Sequence, residues 1–276
     1  MAATERRRFV YLSLMARSLA MRPGEARLVN TLWALGLFAA ILAGWEAAVR
    51  ILHIPDIILP SPTAIGAYLV RRAPLFATHL WPTLLQTIWG FLLAVVGGVL
   101  LAIVVSLTAF GRRAVMPLLV VAQIVPKIAV APLFMLWFGL GDLSRVLIAF
   151  LIAFFPMVIN TVSGLSTVDH EVVLLGRAFA RSRLEFFRRI QFPHALPYIF
   201  DGMKVSITLA IIGVIVAEFV SSQQGLGYLI MFANGRLDTT MMMAAIFVLS
   251  AIGLALYGAI AVLARVVVYW VVPSEA

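Results

Sequence analysis

Six long apolar runs, broken by short polar turns, set the pattern of the chain, at about residues 29–50, 82–107, 114–138, 143–164, 201–220 and 241–266. At about 1.5 Å per residue each can cross a hydrocarbon layer about 30 Å thick, the fifth with least to spare. The pattern therefore predicts an all-α membrane protein of six transmembrane helices. Between the first two runs Pro55, Pro60 and Pro62 force an extended path. Ser61 and Pro62 then fit an N-cap followed by proline at the first helical position, which predicts a short helix ending near Arg71 and Arg72. Gly97 and Gly98, with Gly253 and Gly258, permit close helix approach, and GLGY at 225–228 predicts a tight turn before the last run.

One stretch breaks the apolar pattern. Val168 to Pro197, VDHEVVLLGRAFARSRLEFFRRIQFPHALP, carries five arginines and three acidic residues. Val172, Leu175 and Phe179, then Phe186, Phe187 and Ile190, recur at helical spacing while the arginines take the remaining faces. Ser182-Arg-Leu-Glu185 fits a capping box, so a second short helix is expected from about Arg183, with an elbow near Ala180. Pro193 and Pro197 are expected to stop that helix and turn the chain back to the membrane. Such a pair can lie in the headgroup layer with its arginines on anionic lipid. Alternatively it inserts into a groove on a cytoplasmic partner, with aromatic anchors and a basic rim. Its place between two spans favours the second, because a push on it passes to both.

Composition narrows the class. Of 276 residues 63% are hydrophobic and only 12% charged, about half the charge of a soluble domain. There is no cysteine, and the four histidines, His53, His79, His170 and His194, stand at least 24 residues apart, which argues against a membrane metalloenzyme. The net charge of +9 need not mean nucleic acid, since basic residues of membrane proteins collect in cytoplasmic segments. With both termini inside, the leader arginines (Arg6, Arg7, Arg8, Arg17, Arg22, Arg27), Arg112 and Arg113, and the charged stretch through Lys204 place 14 of 21 basic residues in the cytoplasm. A cleavable signal has an apolar core of about 7–15 residues, so the first run reads as a retained anchor. The expected organisation is a basic leader, 1–28, and one six-span domain, 29–272, with a cytoplasmic loop at 165–197.

Polar residues inside the runs are the candidates for transport chemistry. Lys127, near the middle of the third run between Pro126 and Pro132, costs about 2.5–3.5 kcal/mol if it faces lipid. It either lines a pathway or pairs with a carboxylate such as Glu218 or with carbonyls freed by the prolines. Glu218 near the end of the fifth run either gates the pathway or is solvated. Gln123, Asn160 and Thr161 bond between helices or touch solute, and Asp142 and Arg145 stand at ion-pair spacing.

Arg177 to Pro197, RAFARSRLEFFRRIQFPHALP, resembles the cytoplasmic EAA loop of permease subunits in ATP-binding-cassette importers. In that pattern, E-A-A, three residues, G, nine residues, I-x-L-P, the last places fall on Ile190, Phe192 and Pro193. The glycine place falls on Ala180 and the E-A-A places on Leu174, Leu175 and Gly176; Glu171 lies one turn before the expected glutamate. LPSP at 59–62, VPKIAVAPLFMLWFGLGDLSRVLIAFLIAFFPMVINT at 125–161 and VAEFVSSQQGLGYLI at 216–230 are similar to the nitrate, taurine and alkanesulfonate branch, with relatives for pyrimidine thiamine precursors and riboflavin. Within it, Lys127 and the VPKIAVAPL run lean to members that handle heteroaromatic or carboxylated solutes rather than simple alkanesulfonates.

The resemblance implies a type I importer permease in a bacterial inner membrane. It implies a homodimer working with two cytoplasmic P-loop ATPase subunits and an external solute-binding protein. Glu171, Gly176, Arg177, Ala180, Arg183, Phe187, Arg188, Arg189, Ile190 and Pro193 would form the coupling loop. The chain has no G-x-x-x-x-G-K-[ST] motif, so ATP would be bound by the partner and the chain itself would hold no cofactor and no enzymatic activity. An ATP-independent secondary transporter or channel is the rival; it needs no docking loop, and inverted repeats would favour it. An intramembrane enzyme would need a nucleophile–base pair or metal cluster, and no such spacing is present.

Overall fold

The computed structural model describes residues 23–108, 110–179 and 182–270. They belong to two compact units that divide between Ala64 and Ile65. The first contains helix α1 (Pro23–Ile51) and the start of α2 (Pro62–Arg71). Ser61 caps α2 as expected, its Oγ accepting the Ala64 N–H at 3.2 Å. Glu46, near the end of α1, adds a second cap from a distance: its carboxylate accepts the Thr63 N–H at 3.0 Å, the Thr63 hydroxyl at 2.8 Å and Arg50 Nε at 2.6 Å.

The second unit continues through α3 (Ala73–Leu107), a π-helical turn (Gly111–Val115), α4 (Met116–Ile124), α5 (Lys127–Phe138) and α6 (Asp142–Ser166). After them come α7 (His170–Phe179), α8 (Arg183–Phe186), a second π-helical turn (Phe187–Gln191), α9 (Phe192–Ser221), α10 (Leu226–Gly235) and α11 (Thr239–Val267). Its core is the triple contact of α3, α6 and α9, where Phe91, Ala94, Ala149, Ala153, Ile207 and Ala210 meet. Between apolar helices in lipid there is little hydrophobic drive, so small residues that let backbones approach do the packing. Ala149 is the closest point: a Cβ on Gly90 would stand 2.5 Å from its Cβ, and one on Gly213 2.7 Å from its Cα. Of the glycines singled out in the sequence, Gly98 packs tightly on Met157, whereas Gly258 has nothing within 4 Å. The expectation of close approach at Gly258 is therefore corrected.

Five helices are long and apolar enough to cross a membrane, and a bent pair makes the sixth. That pair corrects the third predicted span. Instead of one helix over 114–138, the arms Arg113–Ile124 and Lys127–Phe138 meet at 93°. Val125, held extended at φ −58° and ψ 128° by the proline that follows, ends the first arm. A second correction concerns Pro193 and Pro197, which do not stop a helix. The chain passes from α8 through the π turn, where the Phe192 N–H bonds the Phe187 carbonyl, and continues without a break to Ser221. Pro193 directly follows the π turn, whose widened backbone accommodates its missing N–H, and Pro197 is absorbed inside the helix. The turn at GLGY is followed by a ten-residue helix, α10, that the apolar pattern did not reveal.

Because the atom facing Gly213 belongs to the backbone and cannot swing aside, Gly213→Ala should destabilise the bundle by about 1–3 kcal/mol, as overpacked cores do. A lowered melting temperature in detergent, beside an unchanged Gly258→Ala control, checks this.

Candidate functional site

Two features stand at opposite ends of α6 and α9: the charged loop and a buried carboxylate. In the loop Ser182 caps α8, its Oγ accepting the Glu185 N–H at 3.2 Å, so the helix begins at Arg183 as the capping box predicts. Glu185 pairs with Arg189 at 3.3 Å. Gly176 on α7 is buried against the second helix: a Cβ there would meet Ile190 Cδ1 and Phe186 Cε2, each at 2.6 Å. The two short helices are thus clamped face to face. Phe186 is buried, and Phe187 meets Phe192 at a tilt, ring centres 5.9 Å apart, and packs into the cluster of Met157, Leu165 and Ala195. The aromatic side chains expected to anchor a partner therefore point inward and anchor the loop to its own bundle. Outward stand Val172, Leu174 and Leu184, the last 65% exposed, among the exposed Glu171, Arg183, Arg188 and Arg189. Pro193 starts α9 and Ile190 closes the clamp. Ala180, the side chain of Arg177 and the leader arginines lie outside the described residues.

At the other end, three consecutive backbone N–H groups open α10, and each meets a side chain from another helix. Gly225 N donates to His79 Nδ1 at 3.1 Å, Leu226 N to Thr83 Oγ1 at 2.8 Å and Gly227 N to Glu218 Oε2 at 2.7 Å. The Thr83 hydroxyl in turn donates to Glu218 Oε1 at 2.7 Å. Glu218, 1% exposed, is neither solvated nor paired with Lys127. The turn fits only glycine. Gly225 has φ +110°, and a Cβ there would fall 2.1 Å from Glu218 Oε1. Its carboxylate stands where the N-terminus of α10 favours negative charge. His79 and Thr83, four residues apart on one helix face, are the sequence signal for the rest of this site, beside Glu218 and the tight turn at GLGY, which the sequence analysis names. Nearby, the Tyr68 hydroxyl of α2 donates to Asp238 Oδ2 at 3.3 Å. Burial and that carboxylate hold the phenol above its ordinary pKa, so it remains a donor.

The remaining candidates are scattered. Lys127 is the first residue of α5, at the bend rather than in mid-span. Its ammonium donates to the Gln123 carbonyl at 2.8 Å and lies 4.7 Å from the centre of the Phe155 ring. Gln123 thus contributes its backbone. Asn160 spends its amide on its own helix, donating to the Pro156 carbonyl at 2.8 Å. Asp142 and Arg145 form the expected ion pair at 2.8 Å, and the arginine is buried. Among the described residues no group of His, Asp or Glu could hold a metal ion.

An apolar bundle whose two central helices run from a charged, clamped loop to a short, side-chain-capped helix is an architecture suited to a transport permease. Residues 94–274 match the family described as binding-protein-dependent transport system inner membrane component, and the chain belongs to it. It is a multi-pass inner-membrane permease subunit of an ATP-binding-cassette importer. The riboflavin transport system permease protein RibX of Chloroflexus aurantiacus is 38% identical over 83% of this chain and 87% of its own length. The formylaminopyrimidine transport permease protein ThiX of Halalkalibacterium halodurans is 34% identical over 84% and 93%. Permeases for aliphatic sulfonates, taurine and nitrate also match, at 30%, 25% and 28% identity. An inward-facing structure of the MetNI methionine transporter shares the fold, with TM-score 0.63 and 16% identity over 71% of this chain and 98% of that one.

Thr83→Val removes both the donor to Glu218 and the acceptor for Leu226 N–H, at about 1–3 kcal/mol for each buried group left unpaired. It should lower the melting temperature and speed proteolysis at 222–226, while Thr83→Ser stays close to wild type.

Proposed function

We propose that two copies of this chain form the pathway, with the loop at 165–197 docking onto two cytoplasmic P-loop ATPase subunits and an external solute-binding protein at the opposite end. Both termini and the basic leader, 1–28, then lie in the cytoplasm, the six-span domain occupies 29–272, and the nucleotide stays with the partner. The observation that carries this reading is the loop's build. Its own aromatics fix it to the bundle, while Val172, Leu174 and Leu184 are 43%, 56% and 65% exposed beside a row of arginines. An apolar patch with a basic rim, rigidly joined to α6 and α9, suits a partner that pushes. ATP-driven movement there would bias the bundle between two packings a few kcal/mol apart. Glu218 and its turn act as the positioning element of the outer end, and Lys127, Gln123 and Asn160 as structural ties of the bend and core. The similarity to RibX and ThiX supports an uncharged or weakly charged heteroaromatic solute.

Leu184→Asp with Arg188→Glu should leave the protein inserted, with a wild-type melting temperature, but strip it of co-purifying ATPase and of uptake. Retention of the ATPase through both changes would mean the loop lies on lipid instead. Phe187→Asp, by contrast, should destabilise the bundle itself.

A further inference from the structure

We infer that the polar pocket between the start of α6 and the end of α9 is a recognition site for an uncharged solute bearing an amide or imide edge, an inference that rests on the permease reading above. The pocket, about 550 Å³, is lined by Leu140, Asp142, Arg145, Ser221, Gln223 and Gln224, a size that suits a small organic molecule. Its floor holds unspent hydrogen-bonding capacity. Arg145, with a side chain 6% exposed, gives Nη1 to Asp142 Oδ1 at 2.8 Å and Nη2 to the carbonyls of Leu140 at 3.0 Å and Ser221 at 3.3 Å, but its buried Nε meets nothing. The buried Ser221 hydroxyl meets nothing either. Gln86 gives its amide nitrogen to Asp142 Oδ1 at 2.8 Å and leaves its buried Oε1 without a partner. Arg145 and Ser221 line the pocket and Gln86 adjoins it through Asp142, whereas buried polar groups are normally satisfied.

What is left over is one N–H donor, one hydroxyl and one carbonyl acceptor. A group with donor and acceptor side by side answers all three. An anion does not: the Arg145 charge is already balanced by Asp142, so a sulfonate or nitrate would lose its water without gaining a free cation. The three atoms are shut from solvent, so a ligand reaches them as the ends of α6 and α9 part. The longest of the arginine's contacts, to Ser221 on α9, is the one that yields. Solute entry is thereby tied to movement of the same two helices that carry the charged loop.

The chain has no cysteine, so single-cysteine labelling is clean. Gln224→Cys, at the pocket rim, and Val70→Cys, a control 79% exposed, are placed in the full transporter with its ATPase and labelled with a maleimide. Uracil, riboflavin, taurine and nitrate serve as probes. At saturating uracil or riboflavin, labelling of Gln224→Cys should slow several-fold while Val70→Cys is unaffected, and adding Ser221→Ala should remove most of the protection. Taurine and nitrate should give none. Equal rates with every probe, or protection by taurine or nitrate, overturns the proposal. So does protection that appears only with added solute-binding protein and does not depend on solute; that outcome marks a protein-docking surface. Co-purification of the ATPase in the same preparation reports separately on the importer reading.

Discussion

Inside a bilayer, a backbone N–H or C=O that leaves its helix has no water to turn to. That requirement organises this molecule. At four interruptions of the helical ladder, a side chain from another turn or helix takes the orphaned group. Glu46 caps α2, Lys127 takes the Gln123 carbonyl at the 93° bend, Arg145 takes the carbonyls of Leu140 and Ser221, and His79, Thr83 and Glu218 receive the three N–H groups of α10. Glu46, Lys127, Arg145 and Glu218 are accounted for in this way, as fasteners of irregular backbone.

The distribution of fasteners has a mechanical consequence. α6 and α9 pack through Ala149 and Gly213 at contact distances that leave no play between backbones at that crossing, so the pair is stiff there. At one end the helices run directly into the clamped loop. At the other they end in interrupted backbone held by single hydrogen bonds of 2.7–3.3 Å. A packed core does not deform smoothly; displacement at the loop is taken up where the structure is tied by exchangeable contacts. Coupling between the two ends, as proposed, would need no special pathway beyond two stiff helices and a set of replaceable bonds.

How much of this was legible in the sequence depended on range. Apolar runs of twenty residues and more announce spans, and local capping chemistry announced α2 at Ser61 and α8 at Ser182, because both partners of each bond lie within four residues. The family resemblance at Ile190, Phe192 and Pro193 named the class. Long-range partnerships stayed hidden: Thr83 and Glu218 are 135 positions apart, and nothing in the neighbourhood of either says that they meet. Hydropathy also treats residues 114–138 as one run, since it registers apolarity and not the extended backbone that Pro126 imposes on Val125. The inward turn of Phe187 was invisible for a similar reason: an aromatic on an amphipathic helix can face either the bundle or a partner, and periodicity does not distinguish them.

The charged loop shows how a departure from a familiar pattern can keep its physics. The glycine place of the pattern falls on Ala180, yet a glycine is needed wherever the loop's two short helices touch most closely. In this chain that contact is made by Gly176, four positions earlier in the sequence. The bulky Phe186 and Ile190 rest on it where even a methyl group would collide at 2.6 Å. The π turn that follows widens the backbone by one residue and lets α8 run into α9 despite Pro193 and Pro197. Loop and α9 are consequently one continuous helix from Arg183 to Ser221, a stiffer connection than an elbow closed by prolines would provide.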